Sequence, residues 1–435
     1  MTNADWLRRE KTALSQASHR PHDPKFGPVF SHGKGAVLWD AAGLDYLDFT
    51  CGYSATNFGH SFQPLIEASV QQLSKLTHLT QEPHTLRAPL AEKLINLCGF
   101  TLPKAKVHFN ATGSRAIETA WKAAFAFRPG QVISLAPSYH GRSLATSPLS
   151  ESAIAIPDFV GSNFHLRRPA SEFAYCSTCA LGLSFPTCAT RCLDPLIKHV
   201  KANAAAISAV IVEPALGARG YVFPPADYWH RLRAATREAG VLLIADEIQI
   251  GLGRAGAFLL STKQGWQPDL VVLGKSLGGG IAPISAVVGR SEVLDALPAG
   301  SESETFACTP LAAAVALEVL TQLQSGPWIE RGIEVGSHLR QTLQELGEKC
   351  VPGLRVEGEG ASAVAEFIGC AADLPASQHL ALQVAKRCAE NRLLVHFTGP
   401  YATRIALLPP LTITEVEVAE GIKRLTAAFT PLRKI

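Results

Sequence analysis

The stretch that decides the fold is Val241-Leu-Leu-Ile-Ala-Asp-Glu-Ile-Gln-Ile-Gly-Leu-Gly-Arg254. Five apolar residues run unbroken into two acids, and a turn punctuated by glycines follows. An apolar run without alternation is the pattern of a strand buried on both faces, as in a parallel sheet. Asp246 then stands at the strand's carboxyl end, where open α/β sheets bind ligands. Taken alone, such a carboxylate could pair with a cation, hold a metal or cap the next segment.

Downstream, Leu270-Val-Val-Leu-Gly-Lys-Ser-Leu-Gly-Gly-Gly280 repeats the arrangement with the opposite charge. A lysine in a partly desolvated pocket loses its proton readily and can attack a carbonyl to form a Schiff base. A strand-end lysine can equally just reach solvent. Further strands are expected over residues 131–137, 209–213 and 286–289, beside those at 241–249 and 270–275. Helical periodicity covers 114–127, 193–204 and 228–239, the last stopping at Gly240. The β-α-β-α order predicts a wound α/β sheet.

The flanks read differently. Residues 1–60 hold short strands around a turn at Ala42-Gly43, and from Thr309 onward helical windows (309–323, 328–347, 377–392) bracket short strands. The expected organisation is an N-terminal segment 1–60 joining the small domain, a large domain 61–310, and a C-terminal small domain 311–435. The small domain is thus an α+β unit built from both chain ends.

Of 435 residues 47% are hydrophobic and 18% charged, which excludes a disordered or fibrous chain. No apolar run approaches the roughly 18 residues a membrane span needs, so no membrane association is expected. The 40 basic and 37 acidic residues give a net charge of +3 with no basic block, so nucleic acid is not an expected partner. The opening Met1-Thr-Asn-Ala-Asp-Trp-Leu-Arg-Arg-Glu10 has charges where a secretory signal has an apolar core. Ten cysteines are then read as reduced thiols, and a cytoplasmic protein is expected. Four of them, Cys176, Cys179, Cys188 and Cys192, have the spacing C-x2-C-x8-C-x3-C, which could supply thiolates to zinc. Reduced thiols or occasional disulfides in a surface loop are expected instead, with no metal site.

Asp246 and Lys275 together meet the needs of pyridoxal 5'-phosphate. Its aldehyde wants an amine, and its pyridine nitrogen wants an anion to keep it protonated. The chain resembles the class III (subgroup II) aminotransferases of fold type I, over roughly residues 39–429. The resemblance is carried by Trp39-Asp-Ala-Ala-Gly-Leu-Asp-Tyr-Leu-Asp-Phe49, Asn57-Phe-Gly-His60, Tyr139-His-Gly-Arg142, Val212-Glu-Pro214, Asp246-Glu-Ile-Gln249, Gly251-Leu-Gly-Arg254 and Leu408-Pro-Pro-Leu411. Their joint order and spacing are specific where any one is weak.

The resemblance implies that Lys275 carries the Schiff base and shuttles the proton, and that Asp246 faces the pyridine nitrogen. It places Gln249 near the phenolic oxygen, Ile248 behind the ring, Tyr139 stacked on it and Glu213 close by. Asn110-Ala-Thr-Gly-Ser-Arg115 resembles the turn that cradles the phosphate with Gly113 and Ser114, although Arg115 replaces an acid and the same residues could form a plain helix cap. Thr305 matches a threonine that reaches the neighbouring subunit's phosphate, which implies a homodimer with shared active sites. The following Ala307-Cys-Thr-Pro310 departs from the family pattern.

On the substrate side, Arg404 matches a carboxylate-binding arginine, and Tyr53 and Arg219 are further candidates. Ala218 stands where ornithine- and 4-aminobutyrate-type members carry a glutamate, which looks more like the ω-amine:pyruvate and diaminopelargonate branch. The implied activity is transfer of an amino group from an amine or amino acid to a 2-oxo acid through pyridoxamine phosphate. Racemisation, epimerisation or decarboxylation on the same scaffold is the alternative, and a non-catalytic binding protein a more remote one.

Overall fold

The computed structural model describes residues 1–15, 17, 27–80, 82–150, 166–167, 185–399, 401–430 and 432. The chain divides into two compact units, Pro64–Gly326 and the pair of flanking segments Met1–Gln63 and Pro327–Ile435.

The first unit is built on a seven-stranded sheet in the order Ala105–Asn110, Ser285–Arg290, Leu270–Leu273, Leu242–Asp246, Ile207–Val212, Gln131–Ser134, Leu166–Arg167. From Leu270–Leu273 to Leu166–Arg167 each neighbouring pair is parallel; Ser285–Arg290 runs antiparallel to both its neighbours. All five residues of Leu242–Asp246 are buried. Alternation explains why. Leu242 and Ile244 pack into one core with Ala116, Ile117, Ala120 and Ala124 of helix Gly113–Phe127. Leu243 and Ala245 pack into another with Leu196, Val200, Trp229 and Leu232, from helices Asp194–Ala202 and Ala226–Glu238. With helices on both faces the strand has no solvent side, so its apolar run is continuous. The same parity carries a functional consequence: Asp246 points to the face that holds helix Gly113–Phe127.

The second unit joins the chain ends through backbone pairing. Leu393–Leu394 lies parallel to Asp45–Asp48, which continues into Val37–Asp40 and Phe30–Lys34. A four-stranded antiparallel sheet (Arg355–Glu357, Ala363–Glu366, Arg404–Leu407, His396–Thr398) accompanies helices Trp328–Cys350, Leu374–Glu390 and Glu415–Phe429. One core of Phe49, Leu339, Leu343, Phe367, Val384, Ile405, Leu425 and Phe429 unites them. The wound α/β sheet with a smaller α+β unit from both termini is the fold-type-I arrangement. The division falls at Gly326/Pro327, beyond the expected 310/311, because helix Pro310–Ser325 belongs with the large sheet's unit. Its Val315 and Val319 crowd Gly279, just after Lys275, where a Cβ would come within 3.3 Å of each.

Candidate active site

Five chain segments, 112–114, 139–141, Glu213, 246–249 and Lys275, enclose a cavity of about 190 Å³, and three of them set its chemistry. The first is the start of helix Gly113–Phe127. Thr112 caps it by accepting from the Arg115 amide at 3.3 Å, and Ser285 Oγ fixes the preceding turn by donating to the Thr112 carbonyl at 2.8 Å. Gly113 and Ser114 line the cavity, and first-turn N–H groups have no acceptor within a helix. Together with the positive end of the helix dipole they suit an anion. Two glycines make the cradle narrow. A Cβ on Gly113 would sit 3.0 Å from Ile248 Cδ1, and one on Gly141, at φ +131°, 2.3 Å from Ser114 Oγ.

The second segment is the end of strand Leu242–Asp246. Asp246 is buried; its Oδ1 accepts from the Ile248 amide at 3.1 Å, and its Oδ2 lies 2.8 Å from His140 Nδ1. A carboxylate only accepts, so Nδ1 carries the proton. Beside it Glu213, at the end of Ile207–Val212, accepts from the Tyr139 amide at 2.8 Å and the Gly217 amide at 2.9 Å. Burial outweighs these two bonds and, with Asp246 nearby, raises the Glu213 carboxyl to about 7.

The third is Lys275. It follows strand Leu270–Leu273 in the left-handed region, φ +44°, a strained backbone of the kind that gathers at functional sites. Its Nζ donates to Gln249 Oε1 at 2.5 Å. Loss of water lowers its amine from 10.5 to about 8, against the opposing pull of Asp246 and Glu213. An amine near 8 is a far better nucleophile at neutral pH than an ordinary lysine.

Gly113, Ser114, Tyr139, Glu213, Asp246, Gln249 and Lys275 therefore all line one cavity, with Ile248 among its walls. Thr305 and Arg219 belong to the same unit but do not line it. Thr305 is exposed, and the segment before it is pinned: Glu304 accepts from Asn110 Nδ2 and the Ala111 amide, each at 3.1 Å. Arg115, the residue that departs from the family's acid, pairs with Glu118 and Glu302 at 3.2 and 3.1 Å. Tyr53 and Arg404 lie in the other unit. Tyr53 sits in a left-handed turn, φ +61°, edge-on to His396. Arg404 is fully buried, its Nε on Glu366 and its NH1 3.0 Å from Glu357. Cys176 and Cys179 lie outside the described residues.

Sequence reading missed His140, although it stands inside the quoted Tyr139-His-Gly-Arg142; only its pairing across 106 positions to Asp246 reveals its part. It also missed Tyr221, which Gln249 contacts.

The residues fit pyridoxal 5'-phosphate: the Lys275 amine, the buried Asp246 carboxylate and a glycine-lined helix start share a cavity of small-molecule size. Comparison with known proteins agrees. The family model described as "Aminotransferase class-III" matches residues 18–429. The chain is 32% identical to the 5-aminovalerate aminotransferase DavT of Pseudomonas aeruginosa, over 99% of both chains. It is 30% identical to a leucine/methionine racemase of Thermococcus litoralis, covering 94% of this chain and 92% of that one. A solved structure of the ornithine aminotransferase from Toxoplasma gondii superposes with a TM-score of 0.85 at 28% identity, covering 100% of this chain and 96% of that one. Amine and 2-oxo acid substrates follow, and the chain belongs to the class III aminotransferases, pyridoxal-phosphate-dependent transaminases of fold type I.

Proposed function

We propose that Lys275 is the residue that holds the cofactor and moves the proton, and that Asp246 is the carboxylate beneath its ring nitrogen. The observation that carries this is the single cavity shared by the Lys275 amine, the buried Asp246 carboxylate and the helix start at Gly113 and Ser114. When bound, pyridoxal phosphate supplies an aldehyde that condenses with amines and a ring that withdraws electrons from the adjoining carbon. Asp246, oriented by His140 and the Ile248 amide, would hold a proton on the ring nitrogen. Gly113 and Ser114 would receive the phosphate, and Tyr139 and Ile248 would pack against the ring. Gln249 is positioned for the phenolic oxygen, with Glu213 fixing the Tyr139 turn. With pyridoxal phosphate bound, Lys275 Nζ would be the group in this cavity placed to hold the cofactor and to take up and give back a proton.

The amine donor and 2-oxo acid acceptor are small molecules, and substrate contacts are assigned to Tyr53, Arg219 and Arg404. A substrate carboxylate at Arg404 would exchange with Glu366 and Glu357, which hold the guanidinium now. 5-Aminovalerate, for which the Pseudomonas relative is named, heads the donors to test. The active unit is a homodimer with shared sites, supported by Thr305, which is exposed and does not line its own cavity. A cytoplasmic setting is supported by free thiols at Cys98, Cys188, Cys308, Cys350, Cys370 and Cys388. No helix among the described residues is long and apolar enough to cross a membrane.

Half-transamination tests the reading. Each donor is added to the loaded protein without an acceptor, and the visible absorption of the bound cofactor is followed. Bleaching by a donor, with recovery on adding pyruvate or 2-oxoglutarate, is the expected result. Racemisation of an amino acid with no acceptor and no bleaching would favour the second reading, which the Thermococcus relative keeps open.

A further inference from the structure

Gln249 sits in a box. Its carbonyl oxygen accepts from Lys275 Nζ, and its amide nitrogen donates to Tyr221 Oη, both at 2.5 Å. Behind it a Cβ on Gly217 would come within 2.8 Å of Gln249 Cδ, so only glycine leaves room. Gly217 is in turn fixed by its amide on Glu213. Tyr221 closes the far end. It is wholly buried, and its φ of +55° is a left-handed conformation that bulky residues rarely adopt. An antiparallel bridge between Leu216 and Val222 shuts the loop that carries both Gly217 and Tyr221.

A carboxamide on three rotatable bonds stays put only when something holds its other end. A lysine ammonium can only donate, so it needs the carbonyl oxygen at a fixed place. Tyr221 supplies the hold. We propose that Tyr221 is a positioning residue of this site: through Gln249 it keeps an acceptor on Lys275 Nζ and thereby sets the pH range in which that amine is a nucleophile. This rests on the reading of Lys275 as the amine that takes up pyridoxal phosphate. The charged groups acting on that amine are the carboxylates of Asp246 and Glu213, with His140 beyond Asp246. An acceptor on an ammonium favours the charged form, so removing it moves the titration to lower pH.

The test follows the rate at which the full-length apoprotein captures pyridoxal phosphate as pH is varied. Tyr221→Phe, which keeps the ring and removes the oxygen, is expected to shift the midpoint down by about half a pH unit. Gln249→Leu is expected to give the same shift, and the double variant no more than either. A Tyr221→Phe midpoint equal to the parent's while Gln249→Leu shifts, or shifts that add in the double variant, would overturn the proposal. If Tyr221→Phe folds poorly, Gln249→Leu alone decides: an unmoved midpoint refutes it. Lys275→Ala separates the underlying reading, because undiminished capture there would remove the amine itself from the site whatever Tyr221 does.

Discussion

His140 donates its Nδ1–H to Asp246 Oδ2 at 2.8 Å, between two side chains that are both buried. His140 Nε2 is also buried and has no hydrogen-bond partner among the described residues, so this one bond fixes the ring. The histidine is itself anchored by its amide on Ser150 Oγ at 2.8 Å. Asp246 is therefore oriented before any ligand arrives, with Oδ1 held by the Ile248 amide.

Removing that bond should loosen the cofactor. A hydrogen bond to a charged group contributes about 1.5–3 kcal/mol, so His140→Phe should weaken pyridoxal phosphate binding by roughly 10- to 100-fold. Equilibrium titration of the apoprotein measures this. An unchanged affinity would mean that Asp246 needs no support from His140.

Two shifted groups give the apoprotein an uncommon stability profile. Glu213 holds its proton to about 7 in the fold and to 4.5 in the unfolded chain, chiefly through burial. Its contribution is full below pH 4.5 and is lost as pH rises through 7, a span worth roughly 3 kcal/mol. Lys275 releases its proton near 8 in the fold and at 10.5 when unfolded, so its penalty stands below 8 and is relieved as pH climbs toward 10.5. Thermal unfolding should show a local minimum between pH 7 and 8. Glu213→Gln should flatten the acid limb, and an unaltered limb would contradict the assignment.

Gly141→Ala tests the cradle. The new Cβ would lie 2.3 Å from Ser114 Oγ, 2.5 Å from Thr146 Oγ1 and 2.9 Å from Ser114 Cβ at φ +131°, so both hydroxyls and Ser114 itself must shift. The expected cost is about 2–3 kcal/mol of stability with a larger loss of cofactor affinity. Gly43→Ala is the control. It has a positive φ of +84° but nothing within 4 Å, so only a backbone cost of about 1 kcal/mol is expected, with affinity intact. Equal effects on affinity would argue against a cradle at Ser114.

Arg404 separates two roles by the way its loss is felt. Arg404→Leu strands the buried Glu366 and should cost about 3–5 kcal/mol. Arg404→Met with Glu366→Gln should recover much of it. If instead stability holds and only the KM for a 2-oxo acid rises, Arg404 serves substrate rather than the sheet.

The strands that sequence revealed best were those with two buried faces, because the sheet leaves Leu242–Asp246 no solvent side to mark with polar residues. Asp246 and Lys275 were legible because a lone charge ending an apolar strand is conspicuous. Ala105–Asn110, the antiparallel edge beside Ser285–Arg290, was not legible: its Lys106 and His108 break the apolar run. His140 and Tyr221 were hidden for a different reason. Their partners lie 106 and 28 positions away, and nothing local in Tyr139-His-Gly or Arg219-Gly-Tyr announces a contact that only the closed sheet creates. Arg404 stood out as an arginine ahead of Leu408-Pro-Pro410, yet the carboxylates that neutralise it sit on the adjacent strand Ala363–Glu366 and the next one, Arg355–Glu357, and were invisible in the motif.

The most direct check is chemical. Protein loaded with pyridoxal phosphate is treated with borohydride, digested and mapped by mass spectrometry. The account predicts one reduced pyridoxyl group, on Lys275, absent from Lys275→Ala. A label on any other lysine, or none in the loaded parent protein, would contradict it.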